Sequence, residues 1–284
     1  MHGEVVPRSV LARGFDFDGR RVPLIGPQGI FKPAILPEMP LSITTVPVVE
    51  GRERPYEDEV GSDGLLRYRY RGTDAQHRDN VALRSAMQRK VPLVYLWGVV
   101  PGQYMPVWPV FVVQDDRDRL TFSVAVDDAG LALPSQIANE EGVAELRRAY
   151  VTTLSLRRLH QQRFRLRVLR AYRESCAVCS LRHGELLEAS HILPDGHPLG
   201  EPSVRNGIAL CKLHHAAYDR NILGIGPDLR VSIRTDILQE VDGPMLRHGL
   251  QGFEGSRIRV PSVESMRPAP EFLAERFLIF RRAS

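Results

Sequence analysis

Cysteine is scarce in this 284-residue chain: there are three, all between positions 176 and 211. So few, so placed, exclude a disulfide framework and suit a reducing compartment. No apolar run approaches the length of a membrane span, and the opening MHGEVVPRSV lacks the apolar core of a leader. The expectation is a cytoplasmic protein with no membrane association. There is no internal repeat and no low-complexity stretch, which excludes repeat architectures. Charge of one sign is also missing. The net charge is only +4, too small for composition alone to announce a polyanionic partner. What remains is 43% hydrophobic and 25% charged residues, the balance of a soluble globular chain long enough for two domains, each with its own core.

The scarce residues gather in one stretch, Tyr172 to Gly224, with five of the nine histidines. Cys176 and Cys179 make a C-x2-C pair, and Cys211 and His214 a C-x2-H pair further on. Two knuckles of two ligands each are what a tetrahedral Zn2+ needs, so these four residues are the expected structural zinc ligands. Interleaved with them stand His191 in EASHILP, Asn206 in SVRNGIAL and His215 directly after the last zinc ligand. His183 and His197 have no such context and read as loop residues.

In that His, Asn, His order the stretch resembles the HNH nuclease family, whose fold is a ββα-metal finger. The resemblance implies phosphodiester hydrolysis, with His191 as general base and Asn206 pinning the loop between the strands. It also implies His215 as a ligand of a catalytic divalent metal, Mg2+ or one of Mn2+, Co2+ and Ni2+. A neutral imidazole suits the removal of a proton from water, and a cation on the phosphate acts as Lewis acid. His215 and Asp219 lie at i and i+4, one above the other on a helix, so Asp219 is a candidate second ligand. The family often has an acidic residue immediately before the first histidine. Ser190 stands there instead, which leaves the third protein ligand open, with Glu188 nearby in sequence.

Residues 1–140 read as mostly β. LSITTVPVV (41–49), LRYRY (66–70), VPLVYLWGVV (91–100) and VWPVFVV (107–113) are rich in β-branched and aromatic residues between Pro, Gly and Asp clusters. One helix is expected over 79–89, capped by Asp79 or Asn80, with Val81, Leu83 and Met87 as its buried stripe. Trp97 and Trp108 read as core. A compact β-barrel or strongly curved sheet fits this pattern.

Within it, Tyr56-Glu57-Asp58-Glu59-Val60, Tyr70-Arg71-Gly72 and Asn80-Val81-Ala82-Leu83 resemble segments of the SRA (SET- and RING-associated) domain, a reader of modified cytosine. The resemblance implies that a flipped base is enclosed. Tyr56 and Tyr70 would sandwich it, and Asp58, or Glu59 one residue on, would accept from the exocyclic amine. Read without the family, the two tyrosines are cross-strand packing and the YED segment a solvated turn.

Residues 142–173 read as a helical connector, with Leu154, Leu159, Leu166 and Leu169 among the arginines. From Arg147 to Arg173 there are nine arginines and no acid. That is either a solvated basic face or a phosphate-binding one, with Arg163, Arg165 and Arg167 the candidates for contact. Beyond Gly224, strands are expected at 229–233 and 255–261 and a closing helix at 270–282.

The expected fold is α+β: an SRA-like curved β-barrel domain (1–140), a basic helical connector (141–172), and a zinc-stabilised ββα-metal HNH domain with a C-terminal tail (173–284). The expected function is a modification-dependent DNA endonuclease acting on double-stranded DNA with 5-methylcytosine or 5-hydroxymethylcytosine, working as a homodimer because two strands need two cuts. The alternatives are an HNH nuclease indifferent to modification, and a zinc-stabilised DNA-binding protein without catalysis.

Overall fold

The computed structural model describes residues 5–47, 59–61, 63–126 and 141–283, with side chains at 59–60 and 141–148 left out. Tyr56 and Asp58 therefore lie outside the described residues, as does the side chain of Glu59. The architecture is mixed α+β, and the chain divides into two compact units, residues 1–159 and 160–284.

The first unit begins with β1 (Val6–Pro7), α1 (Arg8–Arg13), the hairpin β2 (Phe15–Phe17) and β3 (Arg20–Val22), then β4 (Ile30–Phe31) and β5 (Ser42–Thr45). It continues with β6 (Glu59–Val60), β7 (Leu66–Arg69), α2 (Arg78–Gln88), β8 (Leu93–Val100), β9 (Gln103–Asp116) and β10 (Thr121–Val126). One sheet runs β4-β5-β8-β9-β10-β7-β6, with β1 added to β9. Its pairings are antiparallel except β5 with β8. The end strands β4 and β6 do not pair with each other among the described residues, so the sheet is an open, curled half-barrel. Leu93, Tyr95 and Leu96 of β8, Val110 and Val112 of β9 and Phe122 and Val124 of β10 are all buried in it.

Three local expectations are corrected here. The strand expected at 107–113 extends to Gln103–Asp116, and β10 follows it, where Ser123 and Ala125 hide the strand pattern. Trp97 is core, but Trp108 is 55% exposed. The ladder shifts register there: Leu93 and Tyr95 of β8 face Val110 and Val107 of β9, and the extra residue changes which side chains point inward. On α2 the N-cap is His77, whose Nδ1 accepts from the Asp79 backbone N–H at 3.2 Å. The helix buries Asp79, Asn80, Ala82, Leu83 and Ala86, and Val81 faces out. Asn80 is buried because its amide bonds the backbone of Arg71 and Asp74, a use no helical periodicity encodes.

α3 (Glu141–Ala171) carries the chain into the second unit. There β11 (Leu187–His191) and β12 (Gly207–Cys211) form an antiparallel pair, followed directly by α4 (Lys212–Asp219). Next come β13 (Leu223–Ile225), β14 (Val231–Ile233), α5 (Thr235–Gln239), α6 (Pro244–Gly249) and the closing α7 (Pro270–Ala283). The expected strand at 255–261 is reduced to one bridge, Arg257 with Arg230. Phe164, Val168, Leu187, Ile208, Leu210, Tyr218 and Leu273 belong to a single buried core. Gly207 decides how closely the hairpin meets α3: a Cβ there would fall 2.4 Å from Val168 Cγ2 and 2.9 Å from Phe164 Cζ. Only glycine permits that approach.

Candidate active site and metal centre

Two knuckles bring the four sulfur and nitrogen donors together. The ligand atoms of Cys176, Cys179, Cys211 and His214 all lie within 4.8 Å of one another. His214 Nδ1 is 3.1 Å from Cys211 Sγ and 3.6 Å from Cys176 Sγ, and Cys179 Sγ is 3.9 Å from Cys211 Sγ. The far side of the imidazole settles its tautomer. His214 Nε2 lies 2.9 Å from the carbonyl oxygen of Gly249, which can only accept, so Nε2 carries the hydrogen and Nδ1 offers its lone pair to the sulfurs. The edge of that ring meets Phe253 at a centroid distance of 5.2 Å. The thiols are strained as acids. Hydrogen bonding to Cys176, then burial, pushes Cys211 up to about 11, and burial raises Cys179. Cys176 is lowered, first by its bond from Cys211. Three sulfurs this close disfavour ionising all three thiols together, and a bound dication would offset that cost. The donor set and the fixed tautomer both fit Zn2+.

A second constellation lies on the same ββα unit. His191 ends β11, and its ring stacks on Phe164 with centroids 3.9 Å apart and planes within 8°. Burial holds the His191 imidazole below its ordinary value, with His215 adding to the effect and Asp195 and Asp219 opposing it. Its Nε2 is 3.1 Å from Asp195 Oδ1, but the angle makes no hydrogen bond, and that buried nitrogen has no hydrogen-bond partner among the described residues. Burial thus favours the neutral imidazole, the form that can accept a proton.

Asn206 is fully buried. Its Oδ1 accepts from the Leu193 N–H at 2.9 Å, and Nδ2 donates to Leu193 O at 2.9 Å and Glu201 O at 3.1 Å. Its own carbonyl accepts from Ile192 N–H at 3.0 Å. The segment leaving His191 is thus tied down at its first two residues. His215, one residue past the last sulfur-site ligand, points its Nδ1 at Glu188 Oε2 (2.6 Å) and its Nε2 at Asp219 Oδ2 (3.4 Å). Helix α4 therefore serves both constellations, with His214 buried toward the sulfurs and His215 turned to the half-exposed side.

Residues 176–226 match the HNH endonuclease family. The matched span starts at the first cysteine of the cluster and contains His191, Asn206, His215 and Asp219. The match assigns an HNH endonuclease domain to this part of the chain and supports a nuclease function. No curated protein matches the chain. Among solved structures, a "Modification dependent TagI restriction endonuclease" is 15% identical over 84% of this chain and 80% of that one, with a TM-score of 0.31. A superposition that poor transfers neither fold nor activity.

Outside the HNH domain, Arg165 Nη2 donates to the carbonyls of Gly184 (3.1 Å) and Leu187 (2.9 Å), joining α3 to the start of β11. Arg163 is buried and Arg167 half-buried, whereas Arg157, Arg158 and Arg170 are exposed. In the first unit, Tyr70 is buried with its ring stacked on Phe122 at 4.6 Å. Its hydroxyl donates to Asp115 and accepts from Arg84 Nη2 at 3.1 Å. Tyr70 also lines a cavity of about 240 Å3, with Gln28, Thr44, Tyr68 and Arg71 among the other walls.

Sequence reasoning missed Phe164 and Asp195. Phe164 reads as one more apolar residue of a helix, and only the glycine at 207 hints that something large lies against β12. Asp195 sits in a turn, where spacing says nothing about which side chain it meets.

Proposed function

We propose that the chain is a divalent-metal-dependent DNA endonuclease directed to DNA carrying 5-methylcytosine or 5-hydroxymethylcytosine. The observation that carries the catalytic half is the pairing, on one ββα unit, of an imidazole kept neutral by burial (His191) with an imidazole and carboxylate (His215 and Asp219) whose facing atoms are 3.4 Å apart. His191 takes the proton of the attacking water, and Asn206 holds the backbone that aims it. His215 and Asp219 would hold the catalytic cation, Mg2+ or one of Mn2+, Co2+ and Ni2+; bound there, it supplies Lewis acidity at the scissile phosphate. Cys176, Cys179, Cys211 and His214 would hold structural Zn2+, which keeps α4 against the β11–β12 hairpin and so keeps His215 in place.

For the reader, support comes from the 240 Å3 cavity beside Tyr70. This is below the roughly 300–1,000 Å3 of drug-sized pockets and on the scale of one planar ring. Tyr56 and Asp58, the other residues that the SRA resemblance implies for the pocket, lie outside the described residues. The exposed arginines of α3 meet the phosphate backbone, and a homodimer supplies two cuts. No described helix is long and apolar enough to cross a membrane.

A second reading is favoured by the bonds of Tyr70. With its hydroxyl taken by Asp115 and Arg84 and a face on Phe122, it already has a packing role. An HNH nuclease indifferent to modification follows from that. Digestion of methylated and unmethylated copies of one plasmid separates the two. Selective cutting of the methylated copy supports the reader; equal cutting removes it.

A further inference from the structure

We infer that Glu188 is a positioning residue, holding His215 in the tautomer that leaves Nε2 free for a cation shared with Asp219. The inference rests on reading this face of the finger as the nuclease centre. It gives Glu188 a task distinct from the metal ligation that its place near Ser190 suggests.

The two nitrogens of His215 face two carboxylates from different elements. Glu188, on β11, is 2.6 Å from Nδ1, a charge-assisted hydrogen-bond length. In a hydrogen bond between a ring nitrogen and a carboxylate oxygen the nitrogen is the donor, so the hydrogen between the two atoms belongs to Nδ1. A neutral imidazole has one N–H, and its lone pair then sits on Nε2. Asp219, at the end of α4, presents Oδ2 to that nitrogen at 3.4 Å. Two lone pairs would thus face each other across a gap too long for a strong hydrogen bond. A cation between them removes the repulsion. For a metal about 2.0–2.2 Å from N and O donors, a 3.4 Å separation is a natural bite.

Glu188 touches the opposite side of the ring, which makes it the carboxylate partner of a ligating histidine, the arrangement that fixes tautomer and ring orientation. Both carboxylates are solvent-accessible, at 40% for Glu188 and 59% for Asp219, so a cation can reach the gap and Glu188 can be replaced without opening the core.

The test uses full-length, zinc-loaded protein with two readouts independent of cleavage. Ring-15N NMR of histidine-labelled protein, with no second metal added, reports which nitrogen of His215 is protonated. The decrease of the free Mn2+ electron-paramagnetic-resonance signal reports cation affinity. Wild type should show His215 protonated at Nδ1 alone. Glu188→Ala should shift it toward the Nε2–H form and weaken Mn2+ binding by roughly 10- to 100-fold, with zinc content unchanged. Asp219→Asn should weaken Mn2+ binding while leaving the Nδ1–H tautomer intact. The inference is overturned if wild-type His215 is protonated at Nε2, alone or as an imidazolium. It is overturned equally if Glu188→Ala keeps the Nδ1–H tautomer, whether Mn2+ affinity falls, as for a direct ligand, or stays. A wild-type protein with the expected tautomer and Mn2+ binding that cleaves no DNA would sink the nuclease reading and leave this one standing.

Discussion

The ring of His191 lies flat on the ring of Phe164, with centroids 3.9 Å apart. That stack places an aromatic wall behind the proposed general base, and Gly207, opposite His191 in the hairpin register, makes room for it. Since burial is the first cause of the lowered His191 pKa, the acid limb of kcat/KM should fall below the ordinary histidine value of about 6.5. The base is neutral above that limb and protonated as pH falls through it. Phe164→Leu should move the limb upward and lower the rate, at a stability cost of roughly 0.5–3 kcal/mol. Gly207→Ala should act the same way by pushing Phe164 aside. His191→Ala should abolish cleavage with zinc content and DNA binding intact. The checks are a pH–rate profile, thermal melting and a DNA-binding assay; an acid limb unmoved by Phe164→Leu would remove the stack from the mechanism.

Removal of zinc should unfold the HNH domain rather than merely slow it. Structural zinc in small fingers contributes on the order of 10–16 kcal/mol, and here the core residues Cys176, Ala177, Val178 and Cys211 lie on the knuckles themselves. Cys176→Ala should therefore lose zinc, far-UV signal from the second unit and activity together. Metal analysis with circular dichroism checks this. A soluble, active, zinc-free protein would refute it.

Tyr70 and Asp115 yield a pH prediction for the first unit. Burial alone would raise the Asp115 carboxyl, but bonds from Tyr70 and Arg84 hold it below its ordinary value. A depressed folded pKa favours the fold above the unfolded value, about 3.9. That contribution disappears as pH falls through the lower folded value. Asp115→Asn should be less stable at neutral pH and should lose stability less steeply below about pH 4, read from urea midpoints across pH. For the reader, Tyr70→Ala should cost about 1–3 kcal/mol of binding to modified duplex only. A weakening shared equally with unmodified duplex would make Tyr70 a packing residue.

The arginines of α3 divide by exposure. Replacing Arg157, Arg158 and Arg170 with Gln should weaken binding to modified and unmodified DNA alike, and should reduce the salt slope by up to about 0.9 for each arginine–phosphate pair removed. Arg165→Ala should instead lower the melting temperature, because it removes two bonds to backbone carbonyls at the start of β11. Fluorescence anisotropy at several salt concentrations, beside thermal melts, distinguishes these outcomes. If Arg165→Ala flattens the salt slope with no change in melting, Arg165 binds phosphate after all.

The sequence by itself determined the metal-type knuckles and the HNH order, because Cys, His and Asn at short, regular spacings carry their chemistry in identity and distance along the chain. It also determined the β character of the first unit and the closing helix, since β-branched runs and apolar spacing are local signals. Tertiary structure alone decided the rest. That His77 rather than Asp79 or Asn80 caps α2, that Trp108 faces out, and that β10 is a strand depend on register and on partners that local pattern does not specify. So does the proposed work at the site. Phe164 behind His191, Glu188 on one nitrogen of His215, and Gly249 on His214 each join residues with no fixed sequence spacing. A histidine's tautomer is set by what its second nitrogen touches, and that neighbour exists only once the chain has folded.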